Sequence, residues 1–328
     1  MKIDLICGDA LVELKKMPDE SVDCCITSPP YWGLRNYGVN GQFGLEKTAK
    51  EYIAKMVEVF KEIKRVLKKE GTLWLNLGDS YNGGGRGGIG CKNASLKEFT
   101  NTGTLTMPKV NMASDLKPKD LVGIPWRVAF SLQSDGWYLR QDIIWAKPNP
   151  MPESVTDRCT KAHEYIFLFA KSQKYYFDRE AIKEKSVTNE NRPDGIIRDR
   201  EYNYNSKLQQ MRKGKSWHNH KNDLIAGQSQ KKDLPNLALS YRNRRSVWTI
   251  NSHPFKGAHF ATFPEDLVLP CILAGCPRGG VVFDPFSGAG TVGVVCKKNN
   301  RNFIGIELNP AYIEMARQRI NNTQESMF

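Results

Sequence analysis

Paired cysteines are missing from this chain. Its eight Cys include no C-x-x-C, and His218 and His220 have no matching cysteines nearby, so zinc spacing is absent and no metal is expected. Cys24 and Cys25 lie in an apolar run and read as buried thiols. No apolar run reaches membrane-spanning length and no signal peptide opens the chain, so a soluble, reducing, cytoplasmic setting without a membrane is expected. Hydrophobic content is a modest 40% of 328 residues. That still fills a sizeable core, either one large α/β domain with an insertion or two domains.

Basic charge is present in excess. The net charge is +13, and the 75 residues from Lys171 to Arg245 hold 18 Lys and Arg against 9 Asp and Glu. Aromatics are interleaved there, among them Tyr175, Tyr176, Trp217 and Tyr241. A solvated insertion would account for the charge alone. Basic residues alternating with aromatics fit a nucleic-acid face better, with Arg242, Arg244 and Arg245 as candidate contacts.

Apolar periodicity alternates between strand and helix. Strands are expected at 2–7, 22–27, 71–77, 138–146, 281–284 and 303–307, and helices at 10–16, 50–68, 121–134, 264–274, 291–298 and 310–320. Residues 163–170 followed by 173–177 read as a hairpin. This alternation predicts a mostly parallel, doubly wound sheet, whose ligands bind at the carboxyl ends of the strands. Asp9, Ser28, Asp79, Asp284 and Glu307 all fall at or just beyond expected strand ends.

Two segments carry chemistry. Asp284-Pro285-Phe286-Ser287-Gly288-Ala289-Gly290-Thr291 begins a G-x-G-x-x-G that ends at Gly293, between a strand and a helix, and Glu307 ends the next strand, where a carboxylate can accept ribose hydroxyls. A nicotinamide oxidoreductase would show the same glycines, but little chain follows them to hold nicotinamide. Thr27-Ser28-Pro29-Pro30-Tyr31-Trp32 follows a buried apolar strand. The Ser28 hydroxyl and Pro29 carbonyl can accept N–H groups from an exocyclic amine, Pro30 helps to fix the loop, and Tyr31 can stack on a base.

Together these segments resemble the β group of DNA amino-methyltransferases, over roughly the whole chain except the basic stretch. The resemblance implies S-adenosylmethionine as cofactor and a seven-stranded, Rossmann-like methyltransferase sheet. Residues 1–178 and 249–328 would form the catalytic domain and 179–248 an inserted target-recognition region. It places Asp9, Ala10, Asp284, Phe286, Ser287, Gly288, Gly290, Thr291, Glu307, His259 and Phe263 around the cofactor. Trp32, Asp79 and Tyr81 fall beside the base pocket. Gly83 to Gly90 is either a mobile loop over DNA or a plain linker. Ser at position 28 resembles the cytosine-N4 enzymes, whereas the adenine-N6 enzymes usually carry Asp. Cys271 follows a proline but sits in an apolar helical pattern and reads as core, so no covalent nucleophile is implied. The implied partners are double-stranded DNA, a second copy of the chain and a cognate restriction endonuclease, in a bacterial, archaeal or phage setting. A DNA-binding protein with a decayed site is the remaining alternative.

Overall fold

The computed structural model describes residues 1–33, 39, 41–82, 116–185, 241–252 and 262–325. His259, Gly83 to Gly90 and the interior of the basic stretch lie outside them.

Alternating side chains divide the structure into three layers. In β3 (Leu67–Leu77), Leu73, Leu75 and Leu77 enter one core while Trp74 enters the other. In β5 (His163–Ala170), Phe167 and Phe169 face the first core, Ile166 and Leu168 the second. Such strands are buried on both faces, as a covered parallel sheet requires. The first face is covered by α1 (Ala10–Leu14), α2 (Ala49–Val66) and α3 (Ile124–Ser134). The opposite face is covered by α4 (Glu265–Gly275), α5 (Thr291–Lys298) and α6 (Pro310–Asn321). Helix α2 shows why the sequence folds this way. Thr48 and Glu51 close a capping box, and Tyr52, Met56, Val59, Phe60, Ile63 and Val66 form one buried stripe.

The remaining sheet strands are β1 (Ile3–Cys7), β2 (Val22–Thr27), β4 (Tyr138–Ala146), β8 (Val247–Thr249), β9 (Val281–Asp284) and β10 (Asn302–Glu307). Their order is β1-β10-β9-β2-β3-β5-β4-β8, and β5 alone runs antiparallel. The doubly wound sheet is therefore present, with an eighth short strand at its edge. Strands β9 and β2 lie side by side, and the chain winds away from them in opposite directions. That is the switch point at which such sheets bind ligands.

Two expectations change. Residues 173–177 form no strand, because β5 is already paired with β3 on one side and β4 on the other. Strand β3 begins at Leu67, directly after α2, not at Gly71. The chain divides into one unit of 1–183 with 243–328 and a second of 184–242. In the second, β6 (Glu184–Lys185) pairs antiparallel with β7 (Tyr241–Arg242), and Arg242 is bonded to Glu184 at 2.8 Å. Residues 247–249 belong to the main sheet, although 247 and 248 were expected in the insertion. None of the described helices is long and apolar enough to cross a membrane.

Candidate active site

The carboxyl ends of β1, β2, β9 and β10 open into one cleft. Asp9, Ala10, Phe263, Phe286 and Ser287 line it, as do Gly288, Thr291 and Glu307. Ser28 and Pro30 line the same cleft, so the two motifs, far apart in sequence, share one space.

The glycine loop is held from below. Asp284 does not reach the cleft. It is 1% exposed, and its Oδ1 accepts the Thr27 hydroxyl at 2.7 Å and the Phe286 N–H at 3.1 Å. Burial pushes its carboxyl up to about 7. Gly290 caps α5 at φ 75°, and a Cβ there would lie 2.7 Å from the Cβ of Ala316 on α6. Glu307 Oε2 accepts the Gly288 N–H at 2.9 Å and Oε1 the Asn309 N–H at 2.8 Å. The Ser287 hydroxyl is buried without a hydrogen-bond partner among the described residues. Phe43 packs edge-on against Phe286, centroids 5.4 Å apart, and also lines the cleft. Asp9 accepts the Val12 N–H at 3.0 Å and so caps α1.

The acceptor motif enters a polar network. Ser28 Oγ donates to Asn76 Oδ1 at 3.2 Å and lies 3.5 Å from the Tyr31 hydroxyl. Tyr31 donates to Glu164 Oε2 at 2.7 Å, and its ring edge rests over Gly78. Burial, then the Glu164 charge, raise the Tyr31 phenol well above its ordinary value. Pro29 is buried, and the Pro30 carbonyl accepts the Tyr52 hydroxyl at 2.9 Å. Asn76, Glu164, Lys147 and Phe43 were not foreseen. The usable signal for the first two was a polar residue at the terminus of an apolar strand, Asn76 just before the end of β3 and Glu164 just after the start of β5.

Several expected base-pocket residues do other work. Trp32 is 3% exposed and donates its indole N–H to the Glu46 carbonyl at 2.9 Å, so it is core and no stacking platform. Asp79 accepts the N–H groups of Gly123 and Ile124 at 2.9 and 3.0 Å, which starts α3. Tyr81 stacks under Arg158 at 4.0 Å. Arg244 lies over Trp248 at 4.7 Å, and the Arg245 carbonyl accepts the Trp248 indole N–H at 2.8 Å.

Comparison with known proteins gives concordant matches. The N6_N4_Mtase family model, described as DNA methylase, matches residues 22–318. Type II methyltransferase M.Cfr9I of Citrobacter freundii is 44% identical over 313 residues, 95% of this chain and 86% of that enzyme. M.SmaI of Serratia marcescens is 43% identical over 316 residues, 96% and 90% of the two chains. Among solved structures, the cytosine-N4-specific PvuII DNA methyltransferase superposes with a TM-score of 0.61 at 17% identity, covering 98% of this chain and 88% of its own. A DNA modification methylase of Thermus thermophilus, complexed with S-adenosyl-L-methionine, gives 0.55 at 19%, covering 98% and 93%. At these identities the two structures bear on the fold alone.

Proposed function

The chain belongs to the N6/N4 DNA methylase family, and from that premise we propose that it methylates the exocyclic N4 of cytosine in double-stranded DNA. The nicotinamide reading of the glycine loop falls with family membership. S-adenosylmethionine is the methyl donor, and the cleft suits it. Glu307 stands where ribose hydroxyls can donate, the unpartnered Ser287 hydroxyl offers a polar contact, and Phe286 with Phe43 offers an apolar wall. The bound donor supplies an electrophilic methyl carbon on sulfonium sulfur.

The chain's own residues prepare the acceptor. An exocyclic amine is a poor nucleophile because its lone pair is conjugated into the ring. Ser28 keeps its proton and donates a hydrogen bond to the Asn76 amide oxygen, so its lone pairs are available to an amine N–H, and the Pro29 carbonyl takes the second. Two acceptors draw the nitrogen toward a tetrahedral shape as positive charge develops on it. The base is swung out of the duplex to reach them. The basic stretch around 179–248 reads the target sequence, and a cognate endonuclease would cut the unmethylated site.

The observation that carries the N4 assignment is the Ser28 hydroxyl at the mouth of the cofactor cleft. Mass spectrometry of nucleosides from treated DNA tests it. N4-methylcytosine is expected, and Ser28→Ala should reduce its formation far more than it weakens cofactor binding. N6-methyladenine alone would overturn the base assignment.

A further inference from the structure

Methylation leaves the amine nitrogen with one proton too many, and a serine hydroxyl is too weak a base to keep it. Among the described residues, one carboxylate is bonded to the hydroxyl of Tyr31 beside Ser28. Glu164, at the start of β5, takes the Tyr31 hydroxyl on Oε2 at 2.7 Å. The same oxygen accepts the Asn76 amide at 3.2 Å, and Lys147 pairs with Oε1. Asn76 is fixed in turn by donating to the Tyr165 carbonyl at 3.1 Å. Neighbouring carboxylates are committed elsewhere: Asp79 to the start of α3, Asp284 to Thr27 and the glycine loop.

We propose that Glu164 is the terminal proton acceptor of the reaction, reached from Ser28 through the Tyr31 hydroxyl. The inference rests on the amine-methylation reading above. The amine nitrogen forms its bond to the methyl carbon while the carbon–sulfur bond breaks, its electron pair leaving with sulfur. The nitrogen then releases a proton to Ser28 Oγ. Ser28 passes its own proton to the Tyr31 oxygen, and Tyr31 passes its proton to the Glu164 carboxylate. Charge balances, because the cationic amine becomes neutral and the carboxylate becomes a carboxyl. Asn76 cannot relay, since an amide oxygen does not hold a proton at neutral pH; it aligns the hydroxyls. The 3.5 Å step from Ser28 to Tyr31 is the one that substrate binding must shorten.

Glu164→Gln keeps the acceptor for Tyr31 but removes the base. In the full chain with S-adenosylmethionine and DNA, single-turnover methyl transfer should fall by about 100-fold or more. Cofactor affinity and DNA KM should stay near wild type. Tyr31→Phe should cost a comparable factor, and the double variant little more, as expected of groups acting in series. The acid limb of the pH–kcat profile should vanish in Glu164→Gln. Lys147, Lys161, His163 and Tyr31 face Glu164 from the surrounding segments. A readout independent of turnover is the Tyr31 phenol titration followed by tyrosine-labelled NMR, which should move down in Glu164→Gln.

A Glu164→Gln rate within about threefold of wild type, additive losses in the double variant, or an unchanged pH profile would each overturn the relay. If Glu164→Gln does not fold, Glu164→Asp decides: a folded protein with a partly restored rate and a retained acid limb supports it, and wild-type behaviour refutes it. Wild-type enzyme that methylates no amine at all would instead refute the underlying reading.

Discussion

Tyr31 is seated where it is because residue 78 has no side chain. A Cβ there would lie 2.6 Å from Tyr31 Cε2 and 3.1 Å from Cδ2, closer than carbon atoms can pack. Gly78→Ala should tilt the ring away from Glu164 and lower methyl transfer by about 10-fold or more, equivalent to ~1.4 kcal/mol. Calorimetry should show cofactor affinity unchanged, since Gly78 does not line the cofactor cleft. Parallel losses of rate and cofactor affinity would count against this seating role. Trp32 illustrates the opposite situation. An aromatic beside a base-gripping motif has the same sequence signature whether it stacks on a ligand or fills the core. Only its burial and the bond to the Glu46 carbonyl separate the two. Trp32→Ala is accordingly expected to cost ~3–5 kcal/mol of folding stability, read from urea denaturation. A merely weakened DNA complex with full stability would argue for the platform.

The loop between β9 and α5 was the most legible element. A strand ending in Asp, a glycine turn and a helix have local signatures that need no tertiary information, and each formed within a residue of expectation. The hairpin after β5 failed because strand partners are chosen across the sheet: residues 173–177 have a strand-like composition, yet both edges of β5 were taken. Asp79 and Asp284 show a similar limit. Both are acids at strand ends, as ligand-binding acids are, but their partners are backbone N–H groups and a threonine from distant segments. Asp79→Ala should destabilise the start of α3 by ~0.5–2 kcal/mol. Asp284 makes a pH-dependent contribution. Its ordinary value is 3.8 and its folded value about 7. Between these the folded protein holds a proton that the unfolded chain has lost, so stability from this group falls as pH rises through the window from about 4 to 7. Asp284→Asn should flatten that slope and stabilise the cofactor-free protein at pH 8, by at most roughly 4 kcal/mol. Urea melts from pH 4 to 8 measure it, and identical slopes in both proteins would refute the assignment.

Charge distribution sets the behaviour of the whole molecule toward DNA. Residues 171–245 supply most of the net charge of +13, while the cofactor cleft is built largely from loops after β1, β2, β9 and β10. Under the proposed function, phosphate binding and methyl donor binding depend on different parts of the chain, and a variant should be able to lose one without the other. The triple replacement Arg242→Ala, Arg244→Ala and Arg245→Ala tests this separation. Each arginine that contacts a phosphate contributes about 0.9 to the slope of log affinity against log salt. Arg242 is already bonded to Glu184 and Arg244 already lies over Trp248. A guanidinium can keep one such partner and still reach a phosphate, because it carries five N–H donors. The slope should therefore become shallower by about one to three, with DNA affinity at low salt reduced most. Cofactor affinity should stay unchanged, and a thermal melt separates lost contacts from lost packing around Trp248. Equal slopes for variant and wild type would place the phosphate contacts on other basic residues of the chain.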